Sequence, residues 1–145
     1  MYEKLVSHKL SGFCEKYDFL SAANFAYRKG LGCTDALLTI SHHRQKYLDT
    51  GMESYIVQLG FSDAFNRVSH TGLLFKLKSS GVGGSVLSIY REFLSNRMQR
   101  VVVDGATSEL IQTVSGMPLG SVLGPLLLIL YTSEMLELVE NRLCI

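Results

Sequence analysis

Hydrophobic positions along the chain change period several times, and each change predicts an element. From Tyr2 to Tyr17, Leu5, Val6, Leu10 and Phe13 recur at roughly helical spacing, with Lys4, Lys9 and Glu15 away from them. That pattern predicts an amphipathic helix. Asp18 to Gly32 shows no period and reads as irregular. A second helix is expected from about Thr34, a residue type that caps helices, with Asp35 in the first turn, where a carboxylate favours the helix dipole. Leu37, Leu38, Ser41 and Leu48 fall roughly on one side of it, and Gly51 is a natural stop.

Between Ser54 and Phe61 the period drops to two. Tyr55, Val57, Leu59 and Phe61 alternate with Ile56, Gln58 and Gly60, which predicts a strand covered on one face. A helix carrying Leu73, Leu74 and Leu77 follows, closed by Gly81-Val82-Gly83-Gly84. Another is expected from about Ser85 to Leu94, with Val86, Ile89, Tyr90 and Phe93. Val101 to Val103, Asp104-Gly105 and then Leu110 to Val114 read as a hairpin, because Asp-Gly suits the positive φ angles of a tight turn. Ser115 to Ser121 is a loop by its Gly and Pro content, leading into an apolar helix from Val122. Pro125 fits the first turn of that helix, where a missing N–H costs nothing. Helices interleaved with a strand and a hairpin indicate an α+β domain.

Composition supports a folded chain: 47% of the 145 residues are hydrophobic and 19% are charged. The net charge of +1 shows no global basic excess of the kind that drives phosphate-backbone binding by counterion release. Cys14, Cys33 and Cys144 are odd in number and widely spaced, which suits reduced intracellular thiols better than a disulfide framework. The apolar run Val122 to Tyr131 is about half the ~20 residues a membrane span requires, so no membrane partner is expected.

Taken alone, the residues display no recognisable active site. Gly30-Leu31-Gly32 and Gly81-Val82-Gly83-Gly84 do not match a phosphate loop. His42 and His43 are adjacent, so on a helix they diverge by about 100° and cannot share a metal as residues four apart can. Ser62 and Ser121 have no nearby His and carboxylate in a recognisable arrangement.

Four ordered segments carry more. They are Phe25-Ala-Tyr-Arg-Lys-Gly-Leu-Gly-Cys-Thr-Asp-Ala-Leu37, Ile56-Val-Gln-Leu-Gly-Phe-Ser-Asp-Ala-Phe-Asn-Arg-Val-Ser-His70, Phe93-Leu-Ser-Asn-Arg97, and Ser115-Gly-Met-Pro-Leu-Gly-Ser-Val-Leu-Gly-Pro125. In order and spacing they resemble the reverse transcriptase of non-LTR (LINE-type) retrotransposons, over nearly the whole chain. The resemblance implies partial fingers (about residues 1–53) and palm (about 54–145) of a right-hand polymerase, and RNA-templated DNA synthesis as the family activity. It also implies an RNA or DNA template–primer as partner and Mg²⁺ as cofactor, held by carboxylates that stabilise phosphoryl transfer.

The same resemblance locates departures. Where the family carries a pattern like Asp-Phe-Ser-x-Ala-Phe-Asp, this chain has Gly60 at the metal-binding position and Asn66 at the last. The later Tyr-Ala-Asp-Asp hairpin is expected to be missing, because the sequence ends at Cys144-Ile145 about where it begins. No metal ligand is therefore expected, and the chain is expected to be a truncated, inactive remnant. Asp63 is a poor substitute: three residues beyond Gly60, it is displaced by about 10 Å on an extended chain, whereas coordination tolerates errors of tenths of an ångström. Other matched positions survive. Phe65 corresponds to the aromatic that packs under the sugar, Arg28 to a basic fingers residue facing template or triphosphate, and Pro118, Gly120 and Ser121 to the loop beneath the template–nucleotide pair. Leu119 stands where that loop usually has Gln. A nucleic-acid or protein-binding module derived from the fingers and palm is the alternative function, supported by Arg91, Arg97, Arg100 and Arg28-Lys29. A polymerase completed by another chain is a third. The unpaired edge of the Ser54–Phe61 strand is expected to favour aggregation.

Overall fold

A computed structural model describes residues 2–137. It is α+β, with five α-helices, two very short two-stranded ladders and a 3-10 turn at Ser133–Glu137 among the described residues. The described residues form two compact units, one comprising residues 2–62 and 132–137 and the other residues 63–131.

In the first unit, α1 spans Tyr2–Lys16 and α2 spans Cys33–Asp49. The α1 stripe is narrower than the period suggests: Leu10 and Cys14 are buried, while Leu5 is exposed. Just past the helix, Phe13 stacks with Phe19 at 5.4 Å and meets Tyr17 at 4.9 Å, an aromatic cluster that closes the C-terminal end of α1. α2 begins one residue before the expected Thr34, and its cap residue is Gly32. The Asp35 carboxylate reaches back to accept the Gly32 N–H at 2.8 Å, so the side chain that stabilises this end lies inside the first turn. No residue of α2 is buried; Leu37, Leu38 and Leu48, expected on roughly one side of it, are exposed.

The expected strand from Ser54 to Phe61 is also corrected. These residues form no ladder, and Tyr55, Val57 and Leu59 are 86%, 78% and 80% exposed. Alternation supplies two faces, but a strand exists only when a neighbour takes its N–H and C=O groups. None of the described segments does so here.

In the second unit, α3 spans His70–Ser79 and α4 spans Gly84–Leu94. Ser69 caps α3 by accepting the Gly72 N–H at 3.2 Å, a contact of the kind worth about 1 kcal/mol. α4 buries Leu87, Tyr90 and Leu94, while Val86 is exposed, so the inward face is rotated by one residue from the expected stripe. α5 spans Leu123–Thr132 and buries Leu123, Gly124, Leu126, Leu127, Ile129 and Leu130. A helix apolar on nearly every side can only be an interior one. Gly72 lets α3 approach it: a Cβ there would stand 3.3 Å from the Tyr131 ring. Lys76 Nζ donates to the Tyr131 carbonyl at 3.2 Å, satisfying one of the carbonyls that a helix end leaves open.

The hairpin forms about the expected turn, with Asp104 at φ +49° and Gly105 at φ +82°. β2 (Val102–Val103) pairs β3 (Ala106–Thr107), and β1 (Met98–Gln99) pairs β4 (Ile111–Gln112), both antiparallel. The register moves by one residue between the two ladders, because Gln99 faces Ile111 whereas Val102 faces Thr107. The extra residue lies between Ser108 and Ile111, a β-bulge in the returning strand. Ser108 marks it by accepting the Val101 N–H on its hydroxyl at 2.9 Å. Every residue from 98 to 112 is exposed.

No helix of the described residues is long and apolar enough to cross a membrane. Cys14 and Cys33 are free thiols, the first buried and the second exposed; Cys144 lies outside the described residues. Burial pushes the Cys14 thiol up to about 11, because desolvation penalises the thiolate. Cys14 is therefore protonated up to about pH 9, and its preference for the folded state is lost as pH rises from there through 11. Iodoacetamide at pH 8 is expected to label Cys33 and spare Cys14, as read by peptide mass spectrometry. Equal labelling of the two would contradict the burial of Cys14.

Candidate functional site

The second and fourth motif segments meet within the second unit. Residues 63–67 form a turn in which Asp63 O accepts the amides of Asn66 at 3.1 Å and Arg67 at 3.2 Å. Asp63 takes the left-handed conformation, φ +65°, and its carboxylate accepts the Asn66 side-chain amide at 2.7 Å. The segment beyond this turn then runs alongside residues 115–117. Ser69 and Ser115 form an antiparallel bridge. Gly116 N donates to Val68 O and Met117 N to Phe65 O, each at 2.8 Å. Ser115 Oγ donates to Asn66 O at 3.2 Å.

Gly116 is where this seam is tightest. Its φ is +83°, and a Cβ there would lie 2.8 Å from Asn66 O and 2.9 Å from Asn66 Cα. Only glycine tolerates both the conformation and the approach. Below it Val68 and Met117 are buried, so the seam rests on the unit's core.

The structure therefore joins Phe65 to Met117, the residue from which the loop Pro118–Ser121 departs. Phe65 is half-buried and contributes its carbonyl to the seam. At the loop's far end, Ser121 N donates to Pro118 O at 3.2 Å, and Ser121 Oγ accepts the Gly124 N–H at 3.0 Å, capping α5 in the manner of a helix-start serine. Leu119 is 78% exposed at the tip. Gly120 follows at φ +77°, and a Cβ there would meet nothing within 4 Å. The loop is thus clamped at both ends and open at its crest.

Arg28 and Gly60 belong to the other unit. Arg28 does not project freely: Nη1 donates to Ser21 O at 3.2 Å, and Nε lies 3.9 Å from Glu15 Oε1. Tyr27 before it adopts φ +54°, which turns the chain sharply at this point. Gly60 is exposed, and a Cβ there would meet nothing within 4 Å. Neither its backbone nor its surroundings require glycine. Among the described residues no three His, Cys, Asp or Glu side chains converge as a metal-holding group. Magnesium takes oxygen ligands in a near-octahedral set. Gly60 offers no side-chain oxygen, and Asp63 is held by Asn66.

The sequence pattern did not foretell His70, whose Nε2 lies 2.7 Å from Gly116 O, nor the structural role of Asn66. The only local signal was Ser115-Gly116 before Met117-Pro118, a glycine where the backbone turns.

A family profile described as "Reverse transcriptase (RNA-dependent DNA polymerase)" matches residues 1–145. This chain belongs to the reverse transcriptase family. Among curated proteins it is 28% identical over 135 residues to the RNA-directed DNA polymerase from mobile element jockey of Drosophila funebris, covering 93% of this chain. It is 26% identical to the probable RNA-directed DNA polymerase from transposon BS, and 27% identical to that from transposon X-element, both of Drosophila melanogaster. Each of those two matches also covers 93% of this chain. Mobile-element relatives agree with the non-LTR retrotransposon resemblance of the four motif segments. The chain spans about 15% of the length of these relatives.

Proposed function

We propose that this reverse-transcriptase segment is a catalytically silent seat for nucleic acid. Its residues up to about 53 correspond to fingers and the remainder to palm. Phe65 packs against the sugar of an incoming nucleotide, and the Pro118–Ser121 loop lies beneath the template base pair. Arg28 orders the fingers-like turn rather than gripping phosphate, because Nη1 already donates to the Ser21 carbonyl and Glu15 lies 3.9 Å from Nε. The observation that carries the silence is Gly60. It stands at the position of the metal-binding aspartate in the Ile56–His70 motif, and polymerisation needs oxygen anions there to hold the ions that neutralise the triphosphate. What remains is a fold that can hold a template–primer without extending it.

The test is the purified chain with a labelled primer–template, deoxynucleotides and Mg²⁺. Retention of the duplex, weakening as salt rises, is expected without any primer extension. Extension that depends on the added metal overturns the proposal of silence. Failure to retain the duplex at low salt overturns the proposal of a seat.

A further inference from the structure

One peptide unit at the seam is held at both ends. Between Gly116 and Met117, the Met117 N–H donates to Phe65 O at 2.8 Å, and the Gly116 carbonyl faces His70 Nε2 at 2.7 Å. A carbonyl oxygen can only accept, so Nε2 carries the proton, which in the neutral ring is the ε tautomer. Gly116 is buried, and a buried carbonyl left without a donor is costly. The ring is well placed to supply one. His70 is the first residue of α3, directly after Ser69, whose hydroxyl caps that helix and whose backbone bridges to Ser115.

We propose that His70 is a positioning residue for the Met117–Ser121 loop, setting the orientation of the peptide from which the loop departs. With no Cβ on Gly116, rotation about its Cα–C bond turns this peptide without a side-chain clash. The Phe65 carbonyl restrains one end of the plane and the imidazole the other. At the loop's exit, Ser121 is fixed as the cap of α5. Without the imidazole, the entry to the loop swings while its exit stays in place. Leu119 and Gly120 at the crest then lose a fixed point of departure. That the crest meets a template–primer rests on the proposed function; that His70 orients it does not.

Two substitutions separate the roles of this side chain. His70→Phe keeps a ring and removes the donor, whereas His70→Gln restores an amide donor near the Nε2 position. Amide exchange followed by NMR is expected to be about tenfold or more faster in His70→Phe at Met117, whose N–H donates to Phe65 O, with α4 amides little changed. His70→Gln should return most of that protection, and ring nitrogen shifts of the unmodified chain should report a proton on Nε2. Binding of a labelled primer–template duplex should weaken about fivefold in His70→Phe, near 1 kcal/mol, and recover in His70→Gln. Unchanged Met117 exchange in His70→Phe, no recovery in His70→Gln, or a neutral ring protonated on Nδ1 overturns the proposal. If the unmodified chain binds no duplex, the seat fails as a function, and the exchange comparison still decides the role of His70.

Discussion

Installing glycine in an active relative, in place of the metal-binding aspartate to which we propose Gly60 corresponds, is expected to reduce primer extension by on the order of a thousandfold or more. Metal ions contribute several kcal/mol to stabilising a phosphoryl-transfer transition state, and each 1.4 kcal/mol is about tenfold in rate. A carboxylate that grips the ions cannot be replaced by a residue with no side chain. The informative version exchanges residues 54–70 of this chain into the relative, then adds Gly60→Asp on that background. A Cβ at this position meets nothing within 4 Å, so the reversion has room. Recovery of most of the lost rate would place the defect at this residue. Extension by the unreverted exchange within tenfold of the parent would remove the basis of the proposed function.

Gly116→Ala is expected to destabilise the chain by about 3 kcal/mol, lowering its melting temperature by roughly 10 °C. Two effects add. The left-handed conformation costs an L-residue about 1–2 kcal/mol. The new methyl also stands 2.8 Å from Asn66 O, and relieving that clash means parting residues 66–68 from 115–117. The bonds at risk are Gly116 N to Val68 O and Ser115 Oγ to Asn66 O, each worth about 1 kcal/mol. Gly120→Ala is the control. Gly120 has nearly the same φ, +77°, but open space around it, so only the conformational strain of about 1–2 kcal/mol applies. Equal losses in the two variants, measured by thermal unfolding, would mean the seam does not exist as described.

Elements whose partners lie nearby in the chain were legible in the sequence. The helices α1, α3, α4 and α5 follow from spacing, and the Asp104-Gly105 turn from its residue types. Their limits were local too: Leu87 rather than Val86 points inward on α4 because neighbouring helices, not the stripe alone, fix the rotation. The bulge at Ser108 was invisible, since one residue's slip depends on how two strands meet. Ser54–Phe61 shows the converse failure. Its alternation is that of a strand, but pairing is a property of two segments, and the pattern of one cannot provide the other. The motif segments identified the family, and the α+β class was sound. What they did not contain was the seam, because His70 and Gly116 are 46 residues apart and nothing in either neighbourhood names the other. Asn66 read as a lost carboxylate, yet its carbonyl and amide both take part in the local structure.

The exposed ribbon has a narrow neck. Thr113 N donates to Arg97 O at 2.8 Å, so the chain leaves and rejoins the body of its unit at one point, with the bulged arm hanging beyond. Such an arm can be lengthened, shortened or nicked at Asp104-Gly105 while the polypeptide path on either side stays in register. Variation in length among relatives can accumulate there without disturbing the loop that follows.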